Sequence, residues 1–194
     1  MPVDLQAIVR RANWQANKRT LPAFRRVAAE TLGKARALHG AGAYEAALDT
    51  VRSADGWQAD SHAWRLVGLC YLGLNAHLRS IEAFEQARDL DAAELAKDEV
   101  NIATAHIAAH DYERALAAAL HARELAPELV GPHVCLLAIH NRRERYDEVE
   151  RTLADIMTKN SSVLAEREFL ERVTNDTDLV GVADRIARMT GTKT

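Results

Sequence analysis

An internal repeat with a period of about 34 residues is the feature that most constrains the fold. Four similar stretches begin 33, 35 and 34 residues apart, at Tyr44, His77, Tyr112 and Tyr146. Small or apolar residues recur at three fixed offsets from these starting points: nine residues before, three residues after and ten residues after. They are Ala35, Gly68, Ala103 and Leu137, then Ala47, Ser80, Ala115 and Val149, then Ala54, Ala87, Ala122 and Ile156. Self-similarity at this period is typical of arrays of stacked supersecondary units.

Apolar residues within each stretch are spaced three and four apart, as in Ile81, Phe84 and Ala87. This spacing puts them on one face of a helix, and no stretch alternates in the manner of a strand. The sequence therefore predicts an all-α protein built from helix pairs. The expected pairs are 28–40 with 44–54, 61–74 with 78–90, 96–109 with 112–125 and 130–143 with 146–158. The step from Leu21 to Pro22 predicts that the first helix begins near residue 22.

Glycine interrupts an apolar helix of the second unit at Gly68 and again at Gly73. A glycine inside a helix costs about 1 kcal/mol relative to alanine. Burying one large apolar side chain contributes about 1.5–3 kcal/mol, so a notch that admits such a side chain more than offsets that cost. We therefore expect Gly68 to receive a large residue from the partner helix. Gly73 is expected to close its helix in a left-handed cap or tight turn.

The second unit resembles a tetratricopeptide repeat, whose pattern is W-x2-L-G-x2-Y followed by A-x3-F and a proline. The matching residues are Trp64, Val67, Gly68, Tyr71, Ser80, Phe84 and Ala87, with Ala92 in place of the proline. The first unit keeps Ala35, Gly42, Tyr44 and Ala47, and the third keeps Ala103, Tyr112, Ala115, Ala122 and Pro127. The third unit has Glu99 in the Trp position and His106 in the Tyr position. The fourth unit departs furthest, because Leu137 and Val149 replace small residues.

The resemblance implies a right-handed α-solenoid of four repeats, at 28–60, 61–95, 96–129 and 130–160. Residues 1–27 are expected to form a basic capping helix with an apolar stripe, and 161–194 to form capping helices at 162–173 and 178–189. A degenerate fifth repeat is the alternative for the C-terminal segment.

In tetratricopeptide proteins the first helices of successive repeats line a concave groove that binds a peptide or helix. Carried over to this sequence, the resemblance assigns the following groove residues: Arg36, His39, His62, Arg65, Leu69, Leu72, Lys97, Asn101, Thr104, Ala108, Val134, Ala138, Asn141 and Arg142. This mixture of cationic and apolar residues suits an acidic or amphipathic segment. A carboxylate clamp is disfavoured, because only Arg65 and Asn101 match it. Leu69, Gly131 and Cys135 do not.

Motifs of catalysis, such as phosphate-binding glycine loops or nucleophile elbows, do not occur in the sequence. We therefore expect no enzyme activity and no cofactor. His106, His110 and His140 have a spacing that suits a metal ion, but His106 stands in the Tyr position. Packing is the favoured interpretation of these histidines, and no metal site is predicted. Cys70 and Cys135 are expected to be buried packing residues.

Composition is that of an ordinary globular protein, with 48% hydrophobic and 27% charged residues and a net charge of −3. The longest apolar run, 134–139, is far shorter than the roughly 18–20 residues of a membrane span. The first residues do not have the pattern of a signal peptide, so the cytoplasm is the expected location and no membrane contact is expected.

Three functions remain open at this stage. The leading hypothesis is an adaptor or scaffold that binds another protein, and the second is a chaperone of the kind found in bacterial secretion systems. The third is nucleic-acid association, which is disfavoured because few aromatic residues accompany the cations. Those cations are Arg10, Arg11, Lys18, Arg19, Arg25 and Arg26. Self-association through the apolar stripe of the N-terminal segment is also possible.

Overall fold

A computed structural model describes residues 27–159, four further residues (169, 171, 173 and 179) and 181–190 of the chain. All regular structure in these residues is helical, which confirms the all-α expectation. The helices are α1 (Ala29–Gly40), α2 (Tyr44–Arg52), α3 (Ser61–Gly73), α4 (His77–Leu90), α5 (Leu95–Ala108), α6 (Tyr112–Leu125), α7 (Val130–Arg142), α8 (Tyr146–Lys159) and α9 (Val182–Thr190). Short 3-10 turns at Trp57–Ala59 and Ala92–Glu94 precede α3 and α5.

The start of α1 differs from the expectation. Ala28 is extended, with φ −53° and ψ 134°, and α1 begins at Ala29 rather than near residue 22. The backbone N–H of Val27 donates to Asp60 Oδ2 at 2.8 Å, and Val27 is buried. Asp60 Oδ1 in turn accepts from the N–H groups of His62 and Ala63 at the start of α3. One buried carboxylate therefore ties the entry of the first pair to the first turn of the second pair, and the chain cannot remain helical through Val27.

The turn inside each pair repeats one backbone geometry. The residue two before each repeat start has a left-handed backbone, at Gly42 (φ 76°), Asn75 (φ 56°), His110 (φ 58°) and Glu144 (φ 56°). The N–H of the following residue donates to a carbonyl five residues back, at 2.9 Å in all four turns. This pattern is the Schellman motif, which satisfies carbonyls at the end of a helix. The period seen in the sequence is thus also a period of backbone conformation.

Gly73 does not have the role predicted for it. The left-handed residue of this turn is Asn75, and Gly73 is an ordinary last residue of α3. A Cβ atom at Gly73 would lie 2.5 Å from Cε1 and Cζ of Tyr44. The absence of a side chain therefore lets the Tyr44 ring of α2 rest against α3, and the glycine serves a contact between successive pairs.

Within the second pair, Gly68 accommodates Phe84. A Cβ atom at Gly68 would lie 2.6 Å from Phe84 Cε1, and the Phe84 ring is fully buried. Ser80 lies on the same helix as Phe84, and its hydroxyl donates to the Gly68 carbonyl at 2.8 Å. Ala35 and Ala103, at the matching positions of their pairs, are also fully buried. Gly68 thus lies where the second helix of its pair comes close, and the small residues at the matching positions are buried as well.

The first helix of each later pair packs against both helices of the pair before it, and most extensively against the second helix: α2 contacts α3, α4 contacts α5, and α6 contacts α7. α1 also contacts α3, α3 contacts α5, and α5 contacts α7. A Cβ atom at Gly131 of α7 would lie 2.8 Å from Val100 Cγ1 of α5, so a missing side chain again permits the approach. The architecture is therefore a stack of helix pairs with a continuous layer of first helices.

The C-terminal part of the described chain adds to the core of the last pair. Phe169, Val173, Leu179 and Val182 are buried in the same apolar cluster as α7 and α8. α9 contacts α8, and Arg185 bridges them through an ion pair of 3.0 Å to Glu150. Of the two helices expected here, 178–189 corresponds to α9, which begins four residues later at Val182, and 162–173 lies largely outside the described residues. The N-terminal helix expected at 1–27 also lies outside them, apart from Val27.

Candidate peptide-binding face on the first helices

Side chains on neighbouring first helices form one candidate surface, here named the first-helix face. On α3, His62 and Leu69 are two turns apart, and on α5 Lys97 and Thr104 have the same spacing. Because α1, α3 and α5 contact one after another, these side chains lie on adjacent rows. The face consists of Arg36, His39, His62, Leu69, Leu72, Lys97, Asn101 and Thr104.

The first-helix face combines an exposed apolar residue with exposed cationic or basic residues. Leu69 of α3 is 36% exposed, and Arg36, His62 and Lys97 on α1, α3 and α5 are exposed as well. Lys97 makes a surface ion pair of 2.7 Å with Glu94, a contact that contributes little to stability. Half-buried side chains complete the face at His39, Leu72, Asn101 and Thr104. Ala108, also expected here, is half-buried near the end of α5.

Arg65 is engaged within the chain. Its Nε and Nη2 atoms donate to the two carboxylate oxygens of Asp98 at 2.7 and 2.8 Å, and its Nη2 lies 3.4 Å from Asp91 Oδ2. The Arg65 side chain is 13% exposed and that of Asp98 is fully buried. Such a bidentate pair is among the stronger polar contacts in proteins. Arg65 therefore joins α3 to α5, and its donors already have carboxylate partners.

The pKa values of this pair follow from burial and contact. Burial alone lowers the pKa of the Arg65 guanidinium, but hydrogen bonds and charges from Asp98 and Asp91 outweigh it and leave that pKa raised. Burial raises the pKa of the Asp98 carboxyl, and hydrogen bonds from Arg65 offset part of that effect. Arg65 and Asp98 thus stabilise each other's charged form, and removal of either side chain leaves the other as a buried charge without this partner.

The fourth pair does not extend the accessible face. Val134 is 1% exposed and Ala138 is 4% exposed, although both were expected to line the groove. All residues from 130 to 139 are buried, because α7 is surrounded by α5, α6, α8 and the apolar residues of the C-terminal segment. Asn141 is half-buried and Arg142 is exposed, and both make contacts of their own. The accessible face therefore ends at α5.

The histidines considered for metal binding have separate surroundings. His106 is 7% exposed, and its Nδ1 lies 3.6 Å from Asp111 Oδ2. His110 Nδ1 instead lies 3.0 Å from the Tyr112 hydroxyl. No group of three His, Cys, Asp or Glu side chains within the described residues has an arrangement that could hold a metal ion. Burial lowers the pKa of His106 and of His140.

Two polar residues occupy the position that holds Trp64 in the second unit. His133 is 2% exposed, and its Nε2 donates to the Pro127 carbonyl at 2.8 Å while its Nδ1 has no partner. Glu99 is 6% exposed, and its carboxylate lies 3.2 Å from Arg88 Nη1 and 3.5 Å from His121 Nδ1. The Trp position is thus filled by packing in one unit and by polar contacts in two others.

The comparisons with known proteins do not identify a family for this chain. No protein-family model matches the chain, and no curated protein matches it. The resemblance to tetratricopeptide repeats therefore rests on the residues and their spacing. In the part of the chain that the structure describes, every helix is too short or too polar to cross a bilayer.

Proposed function

We propose that this protein is a non-enzymatic interaction module whose first-helix face binds a short acidic or amphipathic segment of another protein. The observation that carries the proposal is that Leu69 is exposed on the layer of first helices that also carries the exposed side chains of Arg36, His62 and Lys97. An exposed apolar residue within a cationic surface suits a partner with an apolar anchor and carboxylates.

The proposal includes a solenoid of tetratricopeptide type as the scaffold. Its support is the repeated left-handed turn together with the asymmetric stacking of the pairs. Successive first helices contact one another, whereas successive second helices of the described residues make at most slight contact. Closer approach on one side favours a stack that curves with its first helices inward, and an inward-facing layer is where solenoid proteins bind extended partners.

The size of the face sets the length of the partner segment. Packed helices lie about 8–10 Å apart, so α1, α3 and α5 span about 20 Å. An extended chain rises about 3.3 Å per residue, and a helix rises about 1.5 Å. The proposed partner segment therefore has about six residues if it is extended, or about thirteen if it is helical.

The energetics of the face divide between one apolar anchor and several charges. A side chain of the partner buried on Leu69 and Leu72 contributes about 1.5–3 kcal/mol. Carboxylates of the partner next to Arg36 and Lys97 add exposed ion pairs, each worth up to about 1 kcal/mol. Arg65 acts in this scheme by holding α3 against α5, and it does not contact the partner.

A peptide selection with a matched control tests the proposal. A random peptide library is selected against the wild-type protein, and dissociation constants of the enriched peptides are measured by fluorescence anisotropy. The test variant is Leu69→Glu/Lys97→Glu. The control is Leu125→Glu/Arg114→Glu, which alters an exposed leucine and a cation that forms an i,i+3 ion pair, as Lys97 does.

We expect the enriched peptides to carry acidic residues around an apolar one. Their affinity should fall at least tenfold for the test variant and stay within twofold for the control. Peptides that bind both variants equally well would place the binding surface elsewhere, and failure to enrich any peptide would contradict the proposal. Circular dichroism of both variants checks that the fold is intact.

A further inference from the structure

Two arginines from successive pairs converge on one tyrosine ring, away from the first-helix face. Arg52 is the last residue of α2, and Arg79 lies in the first turn of α4. Their Cζ atoms lie 5.6 and 5.8 Å from the centroid of the Tyr71 ring. An Arg52 Nη2 hydrogen donates to the Tyr71 hydroxyl oxygen, which puts that guanidinium at the hydroxyl end of the ring.

Neither of these two arginines forms an ion pair with a carboxylate of the described residues. Ion pairs to carboxylates of the described residues are made by Arg65, Arg88, Arg114, Arg143, Arg151 and Arg185. Neither Arg52 nor Arg79 has a described carboxylate within 4.0 Å. Asp49 and Glu82, each one helical turn away along the same helix, do not pair with them. Two guanidinium groups therefore lie against Tyr71 with no described carboxylate within ion-pair distance of either.

The surroundings of this arginine pair also include an exposed apolar side chain. Leu78 precedes Arg79 and is 74% exposed, the highest value among the large apolar side chains of the described residues. Tyr71 itself is half-buried, and its ring contacts both guanidinium groups. A cationic pair beside an apolar contact has the features of a surface that recognises a modified segment of a protein.

We propose that Arg52, Arg79 and Tyr71 bind a phosphate monoester dianion carried by a partner peptide, with an apolar side chain of the peptide on Leu78. The number of charges favours this ligand. A single carboxylate carries one charge and is satisfied by one guanidinium, whereas a phosphate carries close to two charges and three acceptor oxygens. Both guanidinium groups can then donate to one ligand, and their mutual repulsion is relieved.

The test uses inorganic phosphate and one peptide in three forms, at constant ionic strength near pH 7.5. The peptide holds an apolar residue next to a phosphoserine, a serine or a glutamate. NMR of the arginine Nε–Hε groups reports binding of inorganic phosphate, and calorimetry reports peptide affinity. The variant Arg52→Gln/Arg79→Gln is compared with Arg114→Gln/Arg151→Gln, which has the same change in net charge.

We expect inorganic phosphate to shift the Arg52 and Arg79 signals before those of Arg114 and Arg151. The phosphoserine peptide should bind at least tenfold more tightly than the serine and glutamate forms. That affinity should fall at least tenfold in Arg52→Gln/Arg79→Gln, and Leu78→Ser should weaken the peptide but not inorganic phosphate.

Three results would overturn the proposal. An equal loss of affinity in Arg114→Gln/Arg151→Gln would mean attraction to net charge alone. Equal affinity for the glutamate and phosphoserine forms would refute the preference for a dianion. Binding of inorganic phosphate without tighter binding of the phosphopeptide would refute the peptide as its source. The first-helix face is unchanged in these variants, so its peptides should bind them normally whatever the outcome.

Discussion

Substitution of Gly68 by alanine tests most sharply how the helices of a pair nest. The added Cβ atom would lie 2.6 to 2.9 Å from three ring atoms of Phe84. Phe84 is fully buried, so its ring cannot turn away into solvent. Either the ring leaves its preferred rotamer or α4 moves away from α3, and both responses disturb the core.

The expected size follows from two opposing effects. Overpacking a well-filled core costs about 1–3 kcal/mol, and a ring enclosed on all sides belongs to the upper half of that range. Replacing glycine by alanine inside a helix stabilises the helix by about 1 kcal/mol through the higher helix propensity of alanine. We therefore expect Gly68→Ala to lower the free energy of unfolding by about 1–2 kcal/mol.

Urea denaturation followed by far-UV circular dichroism measures the change, with Gly33→Ala as the matched control. Gly33 lies inside α1, is exposed, and has no described atom within 4 Å of a built Cβ. Gly33→Ala should therefore raise the free energy of unfolding by about 1 kcal/mol, the opposite sign. If Gly68→Ala is stabilised like Gly33→Ala, the proposed notch for Phe84 does not exist.

A double-mutant cycle assigns the effect to Phe84 itself. Phe84→Leu removes ring atoms that the new Cβ meets, so the two changes should couple. In the Gly68→Ala background we expect Phe84→Leu to cost about 1 kcal/mol less than in the wild type, within the range measured for contacting residues. Independent, additive effects would show that the two residues do not touch.

Three further predictions concern single contacts. Arg65→Ala should lower the free energy of unfolding by about 3 kcal/mol, because it leaves the buried Asp98 carboxylate without its cationic partner. Lys97→Ala removes an exposed ion pair and should change the free energy of unfolding by less than about 1 kcal/mol. Urea denaturation of the two variants measures both changes. Glu144→Gly should raise the melting temperature, since glycine removes about 1 kcal/mol of left-handed strain. Stability should fall as the pH drops below about 6.5, because burial lowers the pKa of His133 in the folded state and the unfolded chain then binds more protons. His133→Gln, which keeps a donor to the Pro127 carbonyl, should reduce this dependence in denaturation curves taken between pH 5 and 7, and His106 and His140, whose pKa values burial also lowers, should account for the remainder.

The helices were predictable from the sequence to within two residues at nearly every end. α6 was expected at 112–125 and lies at Tyr112–Leu125, because the apolar spacing indicates its bounds; in the structure the Asp111 side chain also caps its start by accepting from the Arg114 N–H. The start of α1 was missed. A proline indicates where a helix can begin. The start of α1 is instead set by the hydrogen bond from Val27 to Asp60, which lies 33 residues away in sequence.

The candidate surface was less predictable, for a physical reason. The periodicity of the sequence predicts which residues of a first helix lie on the same face. It does not predict which residues of other helices contact that face. Arg65 was assigned to a partner, and the structure pairs it with Asp98 of the next first helix. Ala138 was assigned to the same face, and the C-terminal apolar residues enclose its helix. Both contacts join residues more than thirty positions apart, and a repeat pattern does not encode such contacts.

Some features carried a local signal that could have been used. Asp60 stands directly before the apolar stretch of α3, which is a recognised N-cap pattern. Asn75 stands two residues before a repeat start, the offset that Gly42 occupies, and asparagine tolerates a left-handed backbone. His110 and Glu144 share the conformation without a residue type that indicates it, so only the aligned turns reveal it.

Proton NMR of the three close glycines is the most direct test of nested and stacked helix pairs. The structure predicts nuclear Overhauser contacts from Gly68 Hα to the Phe84 ring within a pair, and from Gly73 Hα to the Tyr44 ring and Gly131 Hα to the Val100 methyls between pairs. The Hα signals of Gly68 and Gly73 should also show ring-current shifts. Observation of all three contacts is the predicted result. Helical signals without the contacts from Gly73 and Gly131 would contradict the stacking of successive pairs.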